Sequence, residues 1–275
     1  MGILTAYNKR LLSGIAKKHL WATILGTVED WPIWLLRTEG EYNKRKPHVL
    51  ITSGFHGEEK AGPLALLTWL ENKKIPDSID IAFIPVVNPV GFDVGQRYNN
   101  KNKKTNCGFC HPELGDAPSD EGQILIANEK LLKKLSINGF LDLHEDLPIF
   151  RGEPPCKEFY MYVYENREEP SKFAKAMRDV EDRFFPRYGD GNGVVTDPST
   201  ILHPERNIVK DAIVFNLCDG SYEDFRMHEG CPHAIAVETP GAYRLSKRIA
   251  AQMALIDKFI ELTIEEKYGK TTNRS

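Results

Sequence analysis

The stretch 48-HVLITSGFHGEEKAGPLALLTWLENKK-74 decides the fold. Its first half, "HVLITSG", is a short run rich in β-branched residues that stops at glycine. Such a run reads as a strand covered on both faces. Its second half carries acidic residues at the front and lysines at the back, as the helix macrodipole favours. Between the two stands His56-Gly57-Glu58-Glu59, ionisable side chains at the carboxyl end of an apolar strand.

Outward from there the pattern repeats. "LWATILGTV" and "WPIWLLRTE" read as an opening hairpin turning near Glu29-Asp30, and "IDIAFIPVV", "INGFLDLH", "EFYMYVYE", "AIVFN" and "HAIAVE" as further strands. Helical patterns intervene in "SDEGQILIANEKLLKKL", where Ser119 suits the N-cap, in "PSKFAKAMRDVEDRFF", which starts on a favoured proline, and in "LSKRIAAQMALIDKFIELTIEEKY". This alternation predicts an α/β fold, three layers of α/β/α around a mixed, mostly eight-stranded central sheet. With no repeat, linker or shift of composition, residues 1–275 read as a single domain. The irregular stretches 88–118 and 186–211 are long enough to expect function in them.

Composition narrows the class. The chain has 275 residues, 41% hydrophobic content and a net charge of −3. Both signs are interspersed, which speaks against a nucleic-acid partner. No apolar run is long enough to span a bilayer. The charged N-terminal stretch lacks a signal-peptide core. Five cysteines, an odd number, suit a reducing compartment. The expectation is a cytoplasmic protein.

Four strands deliver polar side chains at their carboxyl ends, the edge where open α/β sheets bind ligands. They are His56-Gly57-Glu58-Glu59, Asn88-Pro89, Asp142 with His144, and Glu238. The H-x-x-E spacing of His56 and Glu59 lets one imidazole and one carboxylate converge on a metal. His144 would complete a His₂Glu set with an open position, the signature of a catalytic zinc ion. Asp142, on the same strand face as His144, can fix that ring's tautomer. Glu58 reads as the solvated acid of its pair. H-x-x-E alone also describes ordinary capping chemistry. Glu238, after the apolar "AIAV", needs a partner or a catalytic reason because an isolated buried carboxylate is costly.

"SGFHGEE", "NPVGF", "QRYNN…TNCGF", "FLDLHE" and "AIAVETPG" occur in an order that resembles the zinc carboxypeptidase family of carboxypeptidase A type, from about residue 20 onward. The resemblance implies one zinc ion on His56, Glu59 and His144. It implies Glu238 as the general base that activates water and Arg97 as the group steadying the oxyanion. In the loop that grips a substrate carboxylate, Asn106 is retained but Cys107 stands where the family has arginine. The "CDGSYEDF" segment resembles the specificity-pocket loop. Counting back from it puts Phe215 at the place of the family's mobile tyrosine, and Tyr222 toward the pocket floor.

The substrate is a small peptide by this resemblance. The "HGEE" spelling also resembles the succinylglutamate desuccinylase/aspartoacylase branch, whose members cleave N-acyl amino acids. Those enzymes usually carry a β-rich domain after the glutamate, whereas here residues 239–275 are mostly one helix, which favours the compact carboxypeptidase layout. A non-catalytic binding module on the same fold is a further reading. "CGFCH" (107–111) also spells a haem or dithiol motif, or with Cys107, Cys110 and His111 a second zinc site, beside the plainer reading of two buried thiols.

Overall fold

The computed structural model describes residues 2–39, 43–147, 156–165, 167–189, 202 and 208–269. It opens on helix α1 (Ile3–Lys18), followed by the hairpin β1 (Trp21–Val28) and β2 (Trp31–Arg37). Then come β3 (His48–Ser53), α2 (Ala61–Asn72), β4 (Asp80–Ile84), α3 (Pro89–Val94), α4 (Asp120–Ala127), α5 (Glu129–Leu135) and β5 (Gly139–Asp146). The chain continues through β6 (Tyr160–Tyr164), α6 (Lys172–Glu181), β7 (Ile208–Lys210), β8 (Ile213–Phe215), α7 (Tyr222–His228), β9 (Ala234–Pro240) and α8 (Leu245–Gly269).

The strands form one mixed sheet of nine in the order β1-β2-β4-β3-β5-β9-β6-β8-β7. Its centre, β4-β3-β5-β9, is parallel. One apolar layer packs it against α1, α2, α6 and α8, and the other mainly against α4, α5 and α7. The expected three layers are therefore present. The ninth strand is β7, three residues inside the stretch 186–211 expected to be irregular. It is too short to carry a periodic signal and exists through its antiparallel pairing with β8.

Three helices differ from expectation. The charges along α1 hide an amphipathic helix that buries Leu4, Tyr7, Leu11 and Gly14. The helix expected over 119–135 is two, broken at Asn128, whose amide nitrogen donates to the carbonyls of Ile124 and, in β1, Leu25. Asn88, expected among the site-bearing strand ends, caps α3 by accepting from the Gly91 amide.

Period-two alternation sorts the sheet's chemistry. On β5, Leu141 and Leu143 face the α8 layer while Phe140 faces the α7 layer, so Asp142 and His144 share the side of Phe140. On β9, Ala234 and Ala236 face the α7 layer, and Glu238 follows them. Glu238 is the register partner of His144.

Candidate metal centre and active site

His56 and Glu59 occupy the turn from β3 into α2. Gly57 is required there. A Cβ would collide with the carbonyl of Gly91 and the backbone oxygen of Gln96, so the turn lies directly on the end of α3. The His56 Nδ1 atom lies 2.7 Å from Glu59 Oε1, and the His144 Nδ1 atom 2.9 Å from Glu59 Oε2. Two imidazoles thus present the same ring nitrogen to one carboxylate, with ring centroids 5.0 Å apart. The donor atoms of the three residues all lie within 4.8 Å of one another. Their chemistry, two imidazoles and a carboxylate, fits a divalent metal.

The electrostatics of the three donors differ. Burial and the nearby Arg97 push His56 down to about 4, leaving it in the neutral, ligating form. Burial works against the charge on Glu59, but the two histidines outweigh it and hold the carboxylate ionised. Burial likewise opposes a charge on His144, yet Asp142 and Glu59 draw positive charge to that ring and hold its pKa well above the ordinary imidazole value. His144 Nε2 lies 2.6 Å from Asp142 Oδ2. The other oxygen of Asp142 accepts from Thr52 Oγ1 and the Leu143 amide. With Asp142 so fixed, Nε2 is the nitrogen that bears the proton of the neutral ring, and Nδ1 would release its own proton to a bound metal.

Arg97 donates from Nη1 to Glu58 Oε1 and Glu59 Oε1, each at 3.1 Å. Glu58 is therefore not the solvated acid that the sequence suggested; its side chain is mostly buried and anchors Arg97. Glu238 is half-buried at the end of β9. Burial pushes its carboxyl well above the ordinary range, against the pull of His144. On the same side of the sheet β6 presents Tyr160, Tyr162 and Tyr164, and Tyr160 stands opposite Glu238 in register.

The expected substrate-binding residues fare differently. Asn106 is spent internally. Its Nδ2 donates to both oxygens of Glu223, at 3.1 and 3.0 Å, and its Oδ1 accepts from the Tyr222 amide. Cys107 is buried, 7% exposed, with its Sγ against the Lys104 carbonyl, and burial pushes the thiol up to about 11. Phe215 is a correction. It is fully buried and faces the α8 layer, opposite to the side carrying His144 and Glu238, because chain counting from a motif carries no information about strand parity. Tyr222 is corrected too: it is enclosed among Phe55, Phe109, Phe140 and Phe225 and lines no open surface. All five cysteines are free thiols, so "CGFCH" forms no dithiol bridge.

One residue of the site escaped the sequence. Glu223 is fully buried, with Oε1 3.3 Å from His144 Nε2. Burial and Asp142 raise its pKa, against the pull of His144. Its place, in the first turn of α7 behind the Ser221 cap, is one where an acid is ordinary and carries no signal.

Comparison with known proteins fits this geometry. The model of the succinylglutamate desuccinylase/aspartoacylase catalytic domain matches residues 45–148, which hold His56, Glu59 and His144. No curated protein matches the chain. A candidate metallopeptidase of Shewanella amazonensis SB2B is 30% identical, with 95% of this chain and 93% of that one covered and a TM-score of 0.83. A second, of Shewanella denitrificans OS217, is 29% identical over 95% and 91%, with a TM-score of 0.82. A metallo-carboxypeptidase of Burkholderia cenocepacia shares the fold at 15% identity over 94% and 68%, with a TM-score of 0.64. Identity sustained along almost the whole of both chains, on top of a histidine–glutamate–histidine cluster at two neighbouring strand ends, means that this chain belongs to the zinc-carboxypeptidase-like metallopeptidase family, with the features of its succinylglutamate desuccinylase/aspartoacylase branch.

Proposed function

We propose that the chain is one catalytic domain, a zinc-dependent hydrolase that cleaves an amide bond in a small peptide or N-acyl amino acid. The observation that carries this reading is the convergence of two imidazole Nδ1 atoms on Glu59, with Glu238 beside His144 in the sheet register.

His56, Glu59 and His144 would hold one ion. When bound, zinc supplies Lewis acidity, polarising the scissile carbonyl and lowering the pKa of water toward neutrality. Glu238 takes the proton of the attacking water and delivers it to the leaving amine, a role suited to a carboxyl whose pKa is raised. Arg97, held by Glu58 and Glu59, would steady the developing oxyanion with its positive charge. Asp142 keeps His144 in the tautomer that the ion needs.

Two observations favour the N-acyl amino acid over a peptide C-terminus. The family match covers the ligand-bearing residues 45–148. The segment expected to grip a terminal carboxylate is also committed elsewhere, Asn106 to Glu223 and Cys107 to the loop interior. The five free thiols suit a cytoplasmic location. Among the described residues no helix is long and apolar enough to cross a membrane.

The test is a hydrolysis screen of the zinc-loaded protein on N-acyl amino acids and short peptides, with Glu238→Gln as control. Turnover that the control loses supports the reading. Full metal occupancy with no turnover on either class would favour a binding module instead.

A further inference from the structure

Part of "CGFCH" remains outside the site described above. Cys107 turns to the Lys104 carbonyl, but Cys110 and His111 turn toward α7. There they meet Asp224 and His228, one helical turn apart. One donor atom from each of the four residues lies within 4.8 Å of all the others. His111 Nε2 lies 3.0 Å from Asp224 Oδ2, and His228 Nε2 lies 3.4 Å from Asp224 Oδ1. The two imidazole rings are 5.0 Å apart.

We propose that Cys110, His111, Asp224 and His228 form a second metal site, a closed four-ligand zinc site with a structural role, separate from the ion held by His56, Glu59 and His144.

Three observations carry it. First, thiolate, carboxylate and two imidazoles are the ligand types of tetrahedral zinc, and four protein ligands without an open position mark structural sites. The thiol proton leaves to solvent on binding, so the ion with one thiolate, one carboxylate and two neutral imidazoles sums to zero charge, as a half-buried position requires. Second, the two histidine–carboxylate contacts are not hydrogen bonds. His111 Nε2 and Asp224 Oδ1 are buried polar atoms that make none, although Asp224 is fully buried. Donors crowded together without mutual alignment are what a bound cation resolves. Third, Asp224 is already oriented. Its Oδ2 accepts from the amides of Asp219 and Gly220, leaving Oδ1 for a ligand, the kind of support that metal carboxylates receive.

The position gives the site a task. Asn106 stands just before the "CGFCH" segment and Glu223 just before Asp224, and these two join each other and reach His144. An ion bridging Cys110 and His111 to α7 clamps both supports of the catalytic histidine from behind.

The catalytic set holds no sulfur, so cobalt separates the two sites. The full chain, stripped by chelation and titrated with Co²⁺, should take up two equivalents and show thiolate-to-cobalt charge-transfer absorption. Cys110→Ser should abolish that absorption and leave one equivalent. His144→Ala should lose an equivalent while keeping the absorption. His228→Ala should weaken the second site by about tenfold or more, the scale that even a lost supporting contact causes at such sites. The His228 side chain is 45% exposed, so this variant carries the test if Cys110→Ser fails to fold. Zinc should also shield Cys110 from alkylation. A wild-type chain that binds one equivalent without the thiolate band overturns the proposal, as does a band that survives Cys110→Ser or a second site untouched by His228→Ala. A failure of the catalytic reading alone would remove the His144-dependent equivalent and leave the band.

Discussion

At the scale of single residues, two substitutions separate holding the metal from using it. His144→Ala removes one of the three proposed ligands, and metal analysis should find most of the ion assigned to that site gone. Glu238→Gln is nearly isosteric but cannot accept a proton. It should keep fold and metal while turnover falls by about 10²–10⁴-fold, the usual contribution of general acid–base catalysis. Cys107→Arg would restore the residue that the family carries, but the thiol lies inside the loop at 7% exposure. Forcing a longer side chain into such a place costs about 1–3 kcal/mol, so urea unfolding should show lost stability and kinetics no new affinity for carboxylates. His56, Glu59, His144 and Glu238 were legible in the sequence because ionisable groups interrupt apolar strands only for a reason. Glu223 was not, because an acid behind a serine cap is ordinary capping chemistry. Phe215 was misread because a residue's face depends on strand parity, which spacing from a motif does not supply.

At the scale of elements, the turn between β3 and α2 depends on Gly57 lying against the backbone of Gly91 and Gln96. Gly57→Ala must push that turn away from α3 and take His56 and Glu59 with it. Backbone cannot yield as a flexible side chain can, so the variant should unfold at lower urea and bind the catalytic metal more weakly, which titration calorimetry would measure. Elements were legible where apolar periodicity was strong, as in β3, α2, β5 and β9. They were lost where tertiary contacts decide. The charges of α1 mask its apolar stripe, β7 exists only beside β8, and Asn128 divides α4 from α5 because it binds the carbonyl of Leu25 on a distant strand.

At the scale of the whole molecule, stability should depend on pH through Glu181. This acid is fully buried on α6, and neither oxygen makes a hydrogen bond. Burial raises its pKa well above 4.5, so the folded chain keeps a proton that the unfolded chain releases above that value. Stability then falls as pH rises through that window, by up to about 1.4 kcal/mol per pH unit. Glu181→Met removes this acid's share of the slope and should raise the urea midpoint at pH 7 but not at pH 4. The architecture itself was readable from strand and helix alternation, but the order of strands was not, since pairing between distant segments leaves no local mark. That order bears on how the chain is made. β9, which follows the other eight described strands in the chain, is an inner strand lying between β5 and β6. Until β9 emerges, a nascent chain therefore has two open sheet edges, both prone to pair with neighbours. It also lacks Glu238 at that stage, so on the proposed mechanism hydrolysis waits until this strand slides into the gap. Chains stalled before residue 234 should be recovered as aggregates, inert toward substrate and dependent on chaperones for their solubility.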